Sequence, residues 1–225
     1  MDSGKSTHAI QARDNYQNRN QVVLLMKPAI DTKGNMTIES RIGLSVTVDY
    51  AYSKEDDLFD FINSYCELRK KVNVVIIDEV QFSEPEQIDQ LMRVTTDLNI
   101  PVICYGLKLD FQSRGFPGST RLLEIAHETE EIKTMCDCGR KATYNARIDG
   151  RTGQFTLSGE QVKIDSSIFD TEEKKEETKP DRYIAFCPAC YYKHVGCFGD
   201  VMNVLYGKNR NRPKQLSKLR DEAKK

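Results

Sequence analysis

Apolar positions fall into two alternating textures along the first 130 residues: short continuous runs and stretches with helical spacing. Residues 21–27 (QVVLLMK) form a nearly unbroken apolar run stopped by Pro28, which predicts a buried strand. Residues 44–48 alternate in the strand sense. Between 54 and 70, Leu58, Phe61, Ile62, Tyr65 and Cys66 recur at helical spacing, and Ser53 with Asp56 offers a capping signal for that helix. Residues 74–77 (VVII) predict a second buried strand that ends in Asp78-Glu79. Ser83, Pro85 and Glu86 open a further helix whose Ile88, Leu91, Met92, Thr95 and Leu98 face inward. Residues 101–105 (PVICY) give the third apolar run, closed by Gly106. Strands separated by helices imply an α/β fold with a parallel sheet and right-handed crossovers.

The texture changes after Lys133. Cys136-Asp137-Cys138-Gly139 is followed by a strand pattern over 143–148, the turn sequence Asp149-Gly150-Arg151-Thr152-Gly153, and a second strand pattern over 154–157. This predicts a hairpin in a small β-rich unit. Residues 165–181 hold seven acidic residues against three lysines and read as a mobile loop. Cys187-Pro188-Ala189-Cys190 comes next, and residues 208–225 carry eight basic and two acidic residues, the pattern of a solvated tail. The expected division is 1–133, 134–207 and a basic tail over 208–225.

Composition narrows the class. The chain has 225 residues, 39% of them apolar and 30% charged, with a mean hydropathy of −0.57. That balance suits a soluble globular protein with one sizeable core and an appendage. No apolar run approaches the roughly 18 residues of a membrane span, and no secretory signal is expected. The net charge of −1 supplies no global field toward nucleic acid or membrane. Seven cysteines, an odd number, argue against a disulfide framework and for a reducing, cytoplasmic setting.

Ser3-Gly4-Lys5-Ser6-Thr7-His8 is the back half of a phosphate-binding loop. In such loops backbone amides wrap a phosphate, the lysine reaches the β/γ oxygens and the hydroxyl serves Mg²⁺. Helical spacing of Ala9, Ile10, Ala12 and Arg13 fits the helix that must follow. The chain starts too late to supply the loop's opening glycine and the strand before it. The functional protein is therefore expected to begin upstream, with that strand missing from the centre of the sheet. Asp78, delivered by a buried strand, is placed for the Mg²⁺ shell, and Glu79 for accepting the proton of an attacking hydroxyl. Cys136, Cys138, Cys187 and Cys190 form two close pairs suited to a closed, structural Zn²⁺ site. His194 is a weaker competitor for that site, and Cys66, Cys104 and Cys197 read as core thiols.

Gly4-Lys5-Ser6-Thr7, Asp78-Glu79-Val80-Gln81-Phe82, the segment 106–111 (GLKLDF) and the paired cysteines together resemble the zinc-containing, phosphate-loop thymidine kinases. The resemblance implies a RecA-like parallel sheet flanked by helices, with a small zinc-bearing lasso. It implies transfer of the ATP γ-phosphate to the 5′-hydroxyl of thymidine, commonly in a homotetramer; deoxyuridine is an expected further acceptor because one methyl group decides little free energy. On matching positions Ser3, Gly4, Lys5, Ser6, Thr7, Asp78, Glu79, Val80 and Gln81 would serve ATP, with Ser6 and Asp78 at Mg²⁺. Glu79 would be the catalytic acceptor, and Met1, Phe82, Phe111, Phe116 and Tyr183 would line the nucleoside pocket. Asp31-Thr32-Lys33 has lysine where the family has arginine, and the lasso motif Val162-Lys163-Ile164-Asp165 departs from the family's glycines. Two rivals remain: a zinc-ribbon ATPase gripping nucleic acid, and an inactive remnant that retains only the fold.

Overall fold

The computed structural model describes residues 4–29, 36–69, 71–157, 159 and 181–196. Met1, Ser3, residues 31–33, most of the acidic segment, Cys197 and the basic tail lie outside them.

The three apolar runs become neighbouring parallel strands. Strand β1 (Val23–Pro28) pairs in parallel with β5 (Val74–Ile77), and β5 with β6 (Val102–Cys104). A fourth strand, β4 (Tyr50–Tyr52), lies on the other side of β1, giving the order β4-β1-β5-β6. Among the described residues, β1 and β5 are each paired on both sides.

Burial of both faces explains why β1 and β5 read as continuous apolar runs. On one face Leu24, Met26, Val75 and Ile77 pack with Leu58, Ile62, Ile88 and Leu91 from the helices α2 (Leu58–Arg69) and α3 (Pro85–Asp97). On the other, Val23, Leu25, Val74 and Ile76 pack with Ala9 and Ile10 of α1 (Lys5–Gln17). That second face also receives Ile38 from the hairpin of β2 (Thr37–Glu39) and β3 (Ser45–Thr47).

Two local expectations shift. Helix α2 starts at Leu58, because Asp56 Oδ2 accepts from the Ser53 N–H at 2.7 Å and closes a separate turn. Asp57 does the capping, its Oδ1 accepting from the Asp60 N–H at 2.9 Å. Strand β4 is too short for a periodicity signal, and its place is set by β1 and by the bond from the Tyr52 hydroxyl to Ser83 Oγ at 2.7 Å.

The second unit has β7 (Thr134–Met135) and β8 (Lys141–Ala142) around the first cysteine pair. Beyond them a three-stranded sheet runs β10 (Phe155–Thr156), β9 (Tyr144–Ile148), β11 (Arg182–Phe186). The predicted hairpin is β9–β10. Helix α5 (Pro188–Val195) packs its buried Tyr191 with Ala146, Phe186 and Cys136.

Candidate active site and metal centre

The phosphate-loop residues and the acidic strand end meet in space. Gly4 adopts a left-handed φ of +74°, which a glycine permits at no steric cost, and the His8 N–H donates to its carbonyl at 2.9 Å to open α1. Lys5 is buried at the helix N-terminus. Ser6 Oγ donates to Asp78 Oδ2 at 3.0 Å, joining residues 72 positions apart. Asp78 is 2% exposed. Burial first, and the neighbouring Glu79 charge second, push its carboxyl up to about 6, with the Ser6 bond and Lys5 opposing.

The next residues form a tight 3₁₀ turn over Val80–Phe82. Glu79 precedes it with φ +53°, an uncommon conformation for a non-glycine residue. Its N–H donates to Asp78 Oδ1 at 3.0 Å. The buried Gln81 amide lies between Glu79 and the Leu107 N–H. Such an arrangement was not legible in the sequence, since the partner sits 26 residues away.

Of the aromatic residues expected at the nucleoside, Phe82 and Phe116 meet edge to face with ring centroids 5.8 Å apart. Phe116 caps helix α4 (Pro117–Ile125). Gly118 on that helix lies so close to the turn that an added Cβ would sit 2.4 Å from the Ser83 carbonyl oxygen. Phe111 is buried under the Arg147 guanidinium, 5.0 Å from its ring centroid. Tyr183 lies on β11 opposite Arg147.

The loop carrying Phe111 is held from several sides. Asp110 Oδ1 accepts from the Gln112 and Arg114 N–H groups at 2.9 and 2.8 Å. The Tyr191 hydroxyl donates to the Phe111 carbonyl at 2.6 Å, and Gln112 Nε2 to the Leu157 carbonyl at 2.7 Å. Arg147 grips Asp181 Oδ2 through Nε and Nη2 at 2.8 and 2.6 Å, while the Gly150 N–H donates to Oδ1. Asp181 is thus pinned, which corrects its reading as the end of a mobile loop. Tyr191, Gln112 and Arg147 were missed because their types and spacing resemble those of any half-buried residue.

A cleft of about 820 Å³ runs along β6, the last strand in the order of the described residues, lined by Lys5, Val80, Cys104, Tyr105, Leu122 and Tyr144 among others. It touches the phosphate loop at Lys5 and His8 and does not include Asp78 or Glu79.

The four predicted ligand cysteines converge: the sulfurs of Cys136, Cys138, Cys187 and Cys190 all lie within 4.8 Å of one another. Backbone N–H groups of Cys138 and then Cys187 bring the Cys136 thiol down to about 7. Neighbouring sulfurs, that of Cys138 first, push the Cys190 thiol up to about 12. Four crowded thiols that resist joint ionisation, each on a turn or helix start, form a donor set that fits a tetrahedral dication such as zinc. His194 is not in the cluster; its ring stacks on Phe155 at 4.6 Å.

A Gly-Lys-Ser-Thr helix start facing an acidic strand end on a parallel sheet, with a four-cysteine module beside it, is an arrangement that fits a nucleotide-using α/β enzyme. The thymidine kinase family profile matches residues 1–191. A thymidine kinase of Legionella pneumophila strain Paris is 40% identical over 212 residues, covering 94% of each chain. One from Ruegeria pomeroyi is 44% identical over 165 residues, 73% of this chain and 82% of that one. One from Mesorhizobium japonicum is 39% identical over 193 residues, 83% and 94% respectively. The chain belongs to the thymidine kinase family, transferases acting on a nucleoside.

Proposed function

We propose that this protein transfers the γ-phosphate of ATP to the 5′-hydroxyl of thymidine, with Glu79 accepting the hydroxyl proton. The observation that carries the reading is the Ser6–Asp78 contact, which sets the phosphate-loop helix against the acidic strand end with Glu79 next in the chain. The α1 N-terminus and the Lys5 ammonium would hold the phosphates, with Ser3, Gly4 and Thr7 completing the loop. Ser6 and Asp78 offer hard oxygen donors, the type Mg²⁺ takes when it arrives with ATP and keeps phosphate and water ligands. Bound there, the ion would neutralise charge on the phosphate oxygens. As the 5′ oxygen forms its bond to phosphorus and the bond to the ADP oxygen breaks, the hydroxyl proton passes to the Glu79 carboxylate.

Phe82, Phe111, Phe116 and Tyr183, with Met1, would enclose the base, excluding water and supplying stacking. Deoxyuridine is a second expected acceptor, because one methyl group contributes little discrimination. Zinc on the four cysteines would be structural, holding the lasso module. A cytoplasmic homotetramer is the assembly we infer from family membership. Glu79→Gln is the test: turnover should fall by at least two orders of magnitude, with ATP affinity within about twofold of wild type. Full activity in that variant would remove Glu79 from the mechanism.

A further inference from the structure

We propose that Gln81 is the positioning residue for the Glu79 carboxylate, a role that rests on Glu79 being the proton acceptor. Its place in the motif suggests contact with ATP, but its side chain is committed elsewhere. Gln81 is 2% exposed. The Leu107 N–H donates to one end of its amide at 3.0 Å. A backbone N–H can only donate, so that end is the oxygen, and the NH₂ must face Glu79. There Nε2 donates to Glu79 Oε2 at 2.5 Å. The orientation of the amide is therefore dictated by the backbone of a different segment.

Packing keeps it there. A Cβ on Gly106 would lie 3.0 Å from Gln81 Oε1 and 2.8 Å from Val80 Cγ1, so the segment following β6 closes directly on the amide. Glu79 is fixed at the backbone by its left-handed φ and its bond to Asp78 Oδ1. Without Gln81 its side chain would still rotate among staggered conformers. With the amide held on Oε2, Oε1 stays available to take the proton. A neutral amide holds the carboxylate without cancelling its charge, where an arginine or lysine would make it a poorer base. Misplacing a reacting group by about 1 Å costs on the order of 100-fold in rate, so a device that removes this freedom acts on kcat and not on binding.

The experiment is a double-mutant cycle. Gln81→Met keeps the volume and removes both amide bonds. We expect kcat to fall about 10- to 100-fold, with the thymidine KM and the ATP dissociation constant within about twofold of wild type. In a Glu79→Gln background the same substitution should change kcat by less than about twofold, since its target is gone. A purely structural role would give losses that multiply in the double mutant, and that result overturns the proposal. Weakened ATP binding at unchanged kcat overturns it too, returning Gln81 to the nucleotide. Should Gln81→Met fold poorly, Gln81→Glu retains the acceptor for Leu107 but sets a carboxylate against Glu79. The same selective kcat loss is expected there, and wild-type turnover would count against the role. An active Glu79→Gln enzyme removes the base reading itself. An inactive one beside a fully active Gln81→Met removes the positioning role alone.

Discussion

Asp78 shows what a single residue exchanges for its place in the site. The carboxyl sits at the end of a strand whose four residues are all fully buried, and its titration moves up from 3.8 to about 6. An acid whose pKa is raised on folding binds its proton more tightly in the folded state. Below pH 4 the folded and unfolded chains are both protonated and no penalty applies. Between pH 4 and 6 the unfolded chain ionises while the folded chain keeps its proton, so the penalty grows with pH, and above 6 the full cost of a buried charge remains. Asp78→Asn should therefore stabilise nucleotide-free, magnesium-free protein at pH 8 by about 1–3 kcal/mol and raise its melting temperature accordingly. The gain should vanish near pH 4, and melts at the two pH values decide it; an equal gain at both would show that burial of the charge is not the cause. Activity would be lost in this variant, the expected trade at a site built for function.

The helix α5 connects two sites that sequence places far apart. Its first turn supplies Cys187 and Cys190, with the Cys190 N–H donating to Cys187 Sγ at 3.4 Å, and its next residue is Tyr191. Through the Tyr191 hydroxyl the helix that carries half of the cysteine cluster also holds the main chain of Phe111. Tyr191→Phe removes one buried hydrogen bond and little volume, worth about 1 kcal/mol. The expected result is a thymidine KM raised roughly three- to tenfold, with zinc content and ATP affinity unchanged. Steady-state kinetics beside metal analysis would separate this from a general loss of fold. An unaltered KM would mean that the Phe111 loop keeps its position without the helix.

At the scale of the molecule, the cysteine module is small. Its apolar cluster is built around Phe186, Tyr191, Ala146, Ala142 and Ala185, with few large aliphatic residues. A core of that size seldom stands without a staple. A bound dication would supply on the order of 10 kcal/mol. Cys136→Ser should lose the metal, lower the melting of the module and raise the thymidine KM, while the α/β sheet, with its own core on both faces, keeps its far-ultraviolet signature. Zinc measured by atomic absorption at one atom per chain in wild type, and well below a tenth in the variant, is the expected pair. Wild-type protein purified without chelator and free of metal would contradict the zinc assignment.

How much of this was legible in the chain differs by element. Strands β1, β5 and β6, helices α1 and α3, and the β9–β10 hairpin follow from patterns within a few residues, because periodicity, capping and turn chemistry are local. The helix start at Gly4-Lys5-Ser6-Thr7, the acidic end of β5 and the convergence of the four cysteines were legible for the same reason: each is a short motif with fixed residue types at fixed spacing. Local sequence also explains why β4 was missed, three residues being too few for a period. The start of α2 depended on which of two adjacent aspartates capped it, and only geometry chose Asp57. Beyond that, tertiary structure alone decided the contacts between segments. It set Ser6 on Asp78, turned the Gln81 amide through the Leu107 N–H, pinned Asp181 under Arg147, and tied Phe111 to Tyr191. These pairs share no sequence signal, since a glutamine, a tyrosine or an arginine has the same local preferences whether its polar end meets water or a buried partner. Their roles arise when folding removes water and brings each donor against a buried acceptor.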